Sequence, residues 1–307
     1  MLAFLPPFLR GLLALVLLIV NTLLFAPPLV LVSLLRFVLP LAAWQRVCTK
    51  VAIAIAEQWI SVNSGWMRLT QGMQWDVSGL EALDKKHWYL VVANHQSWAD
   101  ILVVQHLLNR KVPMLKFFLK KELIWVPVIG LCWWALDFPF MKRFSKAYLE
   151  KHPEKKGQDF ESTRRACEKF KQTPVAVFNF LEGTRFNPSK HVAQKSPFEH
   201  LLLPKAGGMG FVLGAMGDSL HSMIDITIAY PNRSQPSFWE FLCGEVNHVM
   251  VRIELREIPD EFKGKNYFED EAFRYEFQQW VTLLWEQKDA TLVQLNQLSK
   301  DKGWSQD

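Results

Sequence analysis

From Gly11 to Leu35 the chain runs 25 residues without a charged side chain, between Arg10 and Arg36. A helix of that length reaches about 37 Å, enough to cross the hydrocarbon core of a bilayer. Pro27 and Pro28 interrupt it, because they deprive a helix of two donors and are expected to break or kink it near Phe25. Two arrangements are therefore open: one kinked helix that crosses, or two half-length helices that dip into one leaflet as a hairpin. A cleaved leader is disfavoured, since the apolar run continues past an h-region and Ala26 is followed by Pro-Pro rather than a small-x-small site. Arg36, Arg46 and Lys50 follow the segment while only Arg10 precedes it, which for a single span places the main body on the cytoplasmic side.

Composition agrees with a membrane surface. The 307 residues include 13 Trp and 22 Phe, with a formal net charge of +5. Tryptophan favours the membrane interface, and cations attract anionic headgroups. Nucleic acid, the other common partner of a basic chain, is not supported: there is no zinc-finger spacing, RNP-like aromatic motif or Gly-rich single-strand tract. Cys48, Cys132, Cys167 and Cys243 are scattered, form no CxxC pair, and read as buried thiols of a reducing compartment.

Residues 41–75 have helical apolar spacing interleaved with Trp44, Trp59 and Trp66, as interfacial or packing helices do. Strand and helix signals then alternate. Strands are expected at 88–93, 138–141, 175–180, 224–230 and 249–254, helices at 98–109 and 161–171, and a mostly helical end from Tyr267. The expected fold class is α/β. Its parts are a membrane segment over 1–45, interfacial helices over 46–75, a catalytic domain over 76–256 and a C-terminal helical extension over 257–307.

The stretch VVANHQSWADILVVQ, residues 91–105, joins an apolar strand to an apolar helix through polar residues. His95 and Asp100 would point about 140° apart on a straight helix. They meet only if His95 lies in the turn before the helix and Asp100 in its first turn. Ser97 is a good N-cap with Asp100 three residues on, as in a capping box, and Ile101, Leu102, Val104 and Leu108 supply the buried face. An Asp that accepts from one imidazole nitrogen leaves the other free to take a proton. Taken alone, a simple helix cap is the commoner explanation of such spacing. No GxSxG, HExxH or Cys/His cluster points to a serine nucleophile or a metal.

Two further segments bear on this. VAVFNFLEGTRFNP, residues 175–188, is a buried strand running into Glu182, Gly183, Thr184 and Arg185. Gly183 permits close backbone approach and Arg185 offers a planar fork suited to phosphate. A turn with a surface ion pair explains it equally well in isolation. KKELIWVPVIGLCWWALDFPFMKR, residues 120–143, sets aromatic and apolar residues between Lys120-Lys121 and Lys142-Arg143. That composition suits a fatty chain on a phosphate-bearing head, or a core segment with solvated flanks.

With these segments in this order the chain resembles the glycerolipid acyltransferases that include 1-acyl-glycerol-3-phosphate acyltransferase. The NHxxxxD block corresponds to Asn94, His95 and Asp100, the KxxL...P..G...R block to Lys121 through Arg143, and the FPEGTR block to Phe180 through Arg185. The resemblance spans residues 85–232. It implies an α/β enzyme with a mixed sheet, surrounding helices and an N-terminal transmembrane or membrane-embedded helix. Such an enzyme moves an acyl group from acyl-CoA or acyl carrier protein to a lysophospholipid hydroxyl, with no metal or cofactor.

By the same resemblance His95 is the general base and Asp100 its orienting partner. Glu182, Gly183, Thr184 and Arg185 bind the acceptor's glycerol phosphate with help from Arg143, and Asn94, Ser97 and Lys121 support the site. The implied location is a bacterial inner membrane, with the catalytic domain on its cytoplasmic face. Leu181 replaces the usual Pro, and MIDITIAYP (223–231) replaces a downstream valine-proline block. With HLLLPKAGGMGF (200–211) this is more similar to lysocardiolipin and lysophosphatidylinositol acyltransferases and to a bacterial inner-membrane acyltransferase of similar length. The acceptor is thus open between lysophosphatidic acid and a larger headgroup. A thioesterase and a non-catalytic lipid-binding protein are the rival functions.

Overall fold

The computed structural model describes residues 2, 4–141, 167–168, 170, 173–217, 219–220, 222–265, 267 and 269–304. Two long helices open the chain, α1 (Pro7–Leu35) and α2 (Ala42–Thr70). They pack antiparallel: the Leu2 amide bonds the Leu69 carbonyl, Asn21 Nδ2 donates to Asn63 Oδ1 at 2.8 Å, and Trp44 Nε1 reaches the Leu35 carbonyl. Helix α1 runs unbroken through Pro27 and Pro28, so of the two arrangements left open it takes the single helix and not the hairpin of half-length helices. The turns on either side of the prolines are pinned from outside. Asn21 is held by α2, and Ser33 Oγ donates to the Ala135 carbonyl at 2.6 Å. Those anchors offset the two amide bonds the prolines remove.

One stripe of α1, carrying Gly11, Ala14, Asn21, Ala26, Leu29 and Ser33, is buried. The outward face carries Leu12, Val16, Val20, Leu24, Leu31 and Leu34, all exposed. Small and polar residues inside with large apolar ones outside reverse the pattern of a water-facing helix and suit a lipid-facing one. Alone among the described helices, α1 is long and apolar enough to cross a membrane. Both of its ends rest on the body of the protein. Phe8 meets Trp239 edge to face at 5.9 Å, and Arg36 pairs with Asp137.

Strands β1 (Gln74–Ser78), β2 (Tyr89–Ala93), β3 (Leu115–Phe117), β6 (Ala176–Phe180), β7 (Ser222–Ala229) and β8 (His248–Glu257) form a mixed sheet in the order β1-β8-β7-β2-β6-β3. Only β7 and β8 are antiparallel. A two-strand ladder of β4 (Leu119–Lys120) and β5 (Phe140–Met141) stands apart. The helices are α3 (Ala99–Leu108), α4 (Ile129–Ala135), α5 (Pro188–Gln194), α6 (Ala206–Met216), α7 (Phe238–Leu242) and α8 (Glu271–Asp301). Alternation along β2 sorts the core into two layers. Leu90 and Val92 pack with Met209, Val212, Phe277 and Trp285 of α6 and α8. Tyr89, Val91 and Ala93 pack with Leu102 and Val103 of α3, Trp66 of α2 and Ala14 of α1.

The expected strands and helices occur with shifts of a few residues. Boundaries at 45/46 and 75/76 fall inside α2 and β1, because α2 starts in the linker and β1 joins the sheet beside β8. Most of the helix expected at 161–171 lies outside the described residues.

Candidate active site

Strands β2 and β6 run parallel with Ala93 opposite Phe180, so the segments leaving them emerge at one level. His95 and Glu182 each lie two residues past their strand, and they meet: Glu182 Oε1 accepts from the His95 amide at 2.9 Å. The carboxyl ends of parallel strands are where open α/β sheets place their ligands. Asn94 ties the same end to β7. Its side chain donates to the Ile228 carbonyl and accepts from the Ile228 amide, each at 2.9 Å.

Asp100 is fully buried, and four donors converge on it. Its Oδ2 lies 2.8 Å from His95 Nδ1 and accepts from the amides of Gln96 at 2.7 Å and Ser97 at 2.9 Å. Its Oδ1 accepts from the Tyr230 hydroxyl at 2.6 Å. The helix starts at Ala99 rather than directly after Ser97, so the capping box forms only in half. Asp100 reaches back to the Ser97 amide, but Ser97 Oγ accepts from Ala99 and donates to the Pro236 carbonyl. With Nδ1 committed to Asp100, Nε2 is the ring nitrogen left for proton transfer. The imidazole stacks on Phe180, centroids 3.8 Å apart and planes 12° apart, which fixes the ring in a slot.

His95 opens onto a cavity of about 1050 Å³. Leu18, Thr22 and Ala26 of α1, Ala56 and Trp59 of α2, and Trp133 of α4 are among its lining. It lies at the upper end of small-molecule sites, roughly 300–1,000 Å³, and is lined mainly by apolar residues. Gly183, Thr184 and Arg185 also line it, with the Arg185 guanidinium 5.0 Å from the Trp98 ring. Gly183 adopts φ +66, where a side chain would be strained.

Two expected contributors, Glu182 and Lys121, are placed differently. Glu182 is enclosed rather than lining the cavity. Its second oxygen accepts from the Leu202 amide at 3.2 Å, so the carboxyl holds two loops together instead of facing an acceptor. Burial pushes it up to about 8, against the pull of its two backbone bonds. Lys121, the first residue of the 3₁₀ turn Lys121–Trp125, is exposed and outside the lining, whereas Lys120, which stands three residues before Leu123 as the KxxL spacing asks, lines the cavity. Arg143 lies outside the described residues. Tyr230 was not foreseen. Its only signal was a hydroxyl at the end of the apolar MIDITIAYP run. Among the described residues no three His, Cys, Asp or Glu side chains come together to hold a metal ion.

The family model described as Acyltransferase matches residues 74–226. The chain is 25% identical over 276 residues to 1-acyl-sn-glycerol-3-phosphate acyltransferase gamma of Mus musculus, covering 85% of this chain and 66% of that protein. It is 28% identical over 209 residues to 1-acyl-sn-glycerol-3-phosphate acyltransferase delta of Bos taurus, covering 61% of this chain and 52% of that protein. The chain thus spans less than two thirds of the length of these relatives. Among solved structures, the 1-acyl-sn-glycerophosphate (LPA) acyltransferase PlsC of Thermotoga maritima aligns with a TM-score of 0.49 and 19% identity, over 91% of this chain and 98% of that one.

Proposed function

Since the chain belongs to the acyltransferase family, we propose that it transfers a fatty acyl group from acyl-CoA or acyl carrier protein to the free hydroxyl of 1-acyl-glycerol-3-phosphate or a related lysophospholipid. The observation that carries this reading is the buried His95–Asp100 pair on a mainly apolar cavity that Arg185 also lines. His95 Nε2 takes the acceptor hydroxyl proton as the oxygen attacks the thioester carbonyl. Asp100 holds the ring in the required tautomer and stabilises the imidazolium that forms. Collapse of the tetrahedral intermediate breaks the C–S bond, and the thiolate recovers the proton from His95. No acyl-enzyme forms on this route. Arg185 and Lys120 bind the acceptor phosphate, with the guanidinium supplying the planar fork.

The enzyme works at a membrane, and a bacterial inner membrane with the domain on its cytoplasmic face is the setting we propose. Both ends of α1 are tied to the body, so its apolar outer face meets lipid along its length while its inner face lines the cavity. A lipid acyl chain then passes from the bilayer into the cavity without crossing water.

The test is acyl transfer by detergent-solubilised protein and its His95→Ala variant. Labelled acyl-CoA and acyl carrier protein are offered with a panel of lysophospholipids. Loss of the base is expected to cost roughly 10²- to 10⁴-fold in rate. Free fatty acid without acylated lipid identifies a thioesterase instead.

A further inference from the structure

The loop after β6 carries one cation of its own and receives two more from outside it. On the cavity side Arg185 lies over Trp98. Two lysines that are not part of the cavity lining close onto the same loop. Lys205, just before α6, lays its side chain across Gly183, where an added Cβ would lie 3.2 Å from its Cδ and 3.3 Å from its Nζ. Lys190 of α5 donates from Nζ to Thr184 Oγ1 at 2.6 Å and lies 3.4 Å from the Arg185 carbonyl oxygen. Gly183 and Thr184 are neighbours, about 3.8 Å apart at Cα, so the two ammonium groups sit against one short piece of backbone.

Among the described residues neither lysine has a carboxylate partner. Glu182, the adjacent acid, faces inward with both oxygens on backbone amides. Two exposed like charges held on one loop without a counter-ion repel each other, and a phosphate between them relieves that repulsion. The missing side chain at Gly183 leaves the room through which Lys205 reaches the loop.

We propose that Lys190 and Lys205 bind a second phosphoryl group, distinct from the acceptor phosphate at Arg185. This rests on the acyl-transfer reading above and deepens it. A substrate supplies such a group from one of two sources: the distal phosphate of an acceptor headgroup that carries two, or a phosphate of coenzyme A on the donor. In either case the site selects between substrates that share the reacting hydroxyl and thioester.

The experiment compares the full-length wild type with the Lys190→Ala/Lys205→Ala double variant and the charge-conserving Lys190→Arg/Lys205→Arg variant. Each is assayed with a one-phosphate and a two-phosphate lysophospholipid, and with acyl-CoA and a phosphate-free acyl N-acetylcysteamine thioester. The expected result is a KM raised at least tenfold in the alanine variant for one phosphate-bearing partner only, exceeding any change in kcat, with the arginine variant keeping most of the affinity. A rise confined to the two-phosphate acceptor identifies the headgroup, and a rise for acyl-CoA but not the phosphate-free thioester identifies the donor. An active wild type whose alanine variant shows unchanged KM for all four overturns the proposal. If wild type transfers nothing, the functional reading fails, and calorimetric titration with pyrophosphate still decides the site. Weaker binding to the alanine variant supports the site, and equal binding to wild type and variant refutes it.

Discussion

Glu182→Gln separates a buried positioning role from acceptor binding. The carboxyl receives the amides of His95 and Leu202, and burial pushes it from an ordinary 4.5 to about 8. Between those two values the folded protein keeps a proton that the unfolded chain has released. Stability therefore falls as pH rises through this window, on the order of 1.4 kcal/mol per pH unit while the difference persists. Glutamine keeps the shape but turns an amide NH₂ toward one of the two backbone donors, leaving it unpaired at a cost of about 1–3 kcal/mol at any pH. The variant should thus be less stable than wild type near pH 5, and the gap should close or reverse by pH 8. Thermal unfolding in detergent, followed by tryptophan fluorescence across that range, reads the difference at roughly 2–4 °C per kcal/mol. A gap that stays constant with pH would refute the buried-carboxyl account. Unchanged stability together with a raised acceptor KM would return Glu182 to substrate binding.

Tyr230→Phe removes the 2.6 Å bond to Asp100, a neutral donor on a charged acceptor worth about 1.5–3 kcal/mol. Burial and Asp100 hold the Tyr230 hydroxyl well above its ordinary value, so it donates at every working pH. A drop in kcat of roughly tenfold is expected, with smaller changes in both KM values and a displaced acid limb of the pH-rate profile. An unchanged kcat and profile would leave Tyr230 a packing residue. Ala26→Phe projects a ring into the cavity between α1 and α2, at an overpacking cost of about 1–3 kcal/mol. Assayed with acyl-CoAs of increasing chain length, the variant should lose its longest donors first. An unchanged chain-length profile would place the acyl group elsewhere.

How far the sequence alone reached depended on the distance over which each feature is decided. The length of α1, the α/β alternation and the His95–Asp100 pair were legible, since each rests on helix period, strand alternation or a five-residue turn. Whether Pro27 and Pro28 lie inside one helix or split it in two stayed open, because the anchors that hold α1 on either side of them are remote: Asn63 on α2 and Ala135 on α4. Only the register of β2 on β6 turned Glu182 inward to the His95 amide, and the passage of Leu202 behind it occupied the second oxygen. Tyr230 reaches Asp100 across 130 residues, from the far end of β7. Lys120 rather than Lys121 stands three residues before Leu123, so the choice between them was already legible in the KxxL spacing. Backbone periodicity is written locally and fixes which residues share a turn or a face. Which polar group a buried carboxylate finds is decided by desolvation, which acts only once distant strands have closed around it.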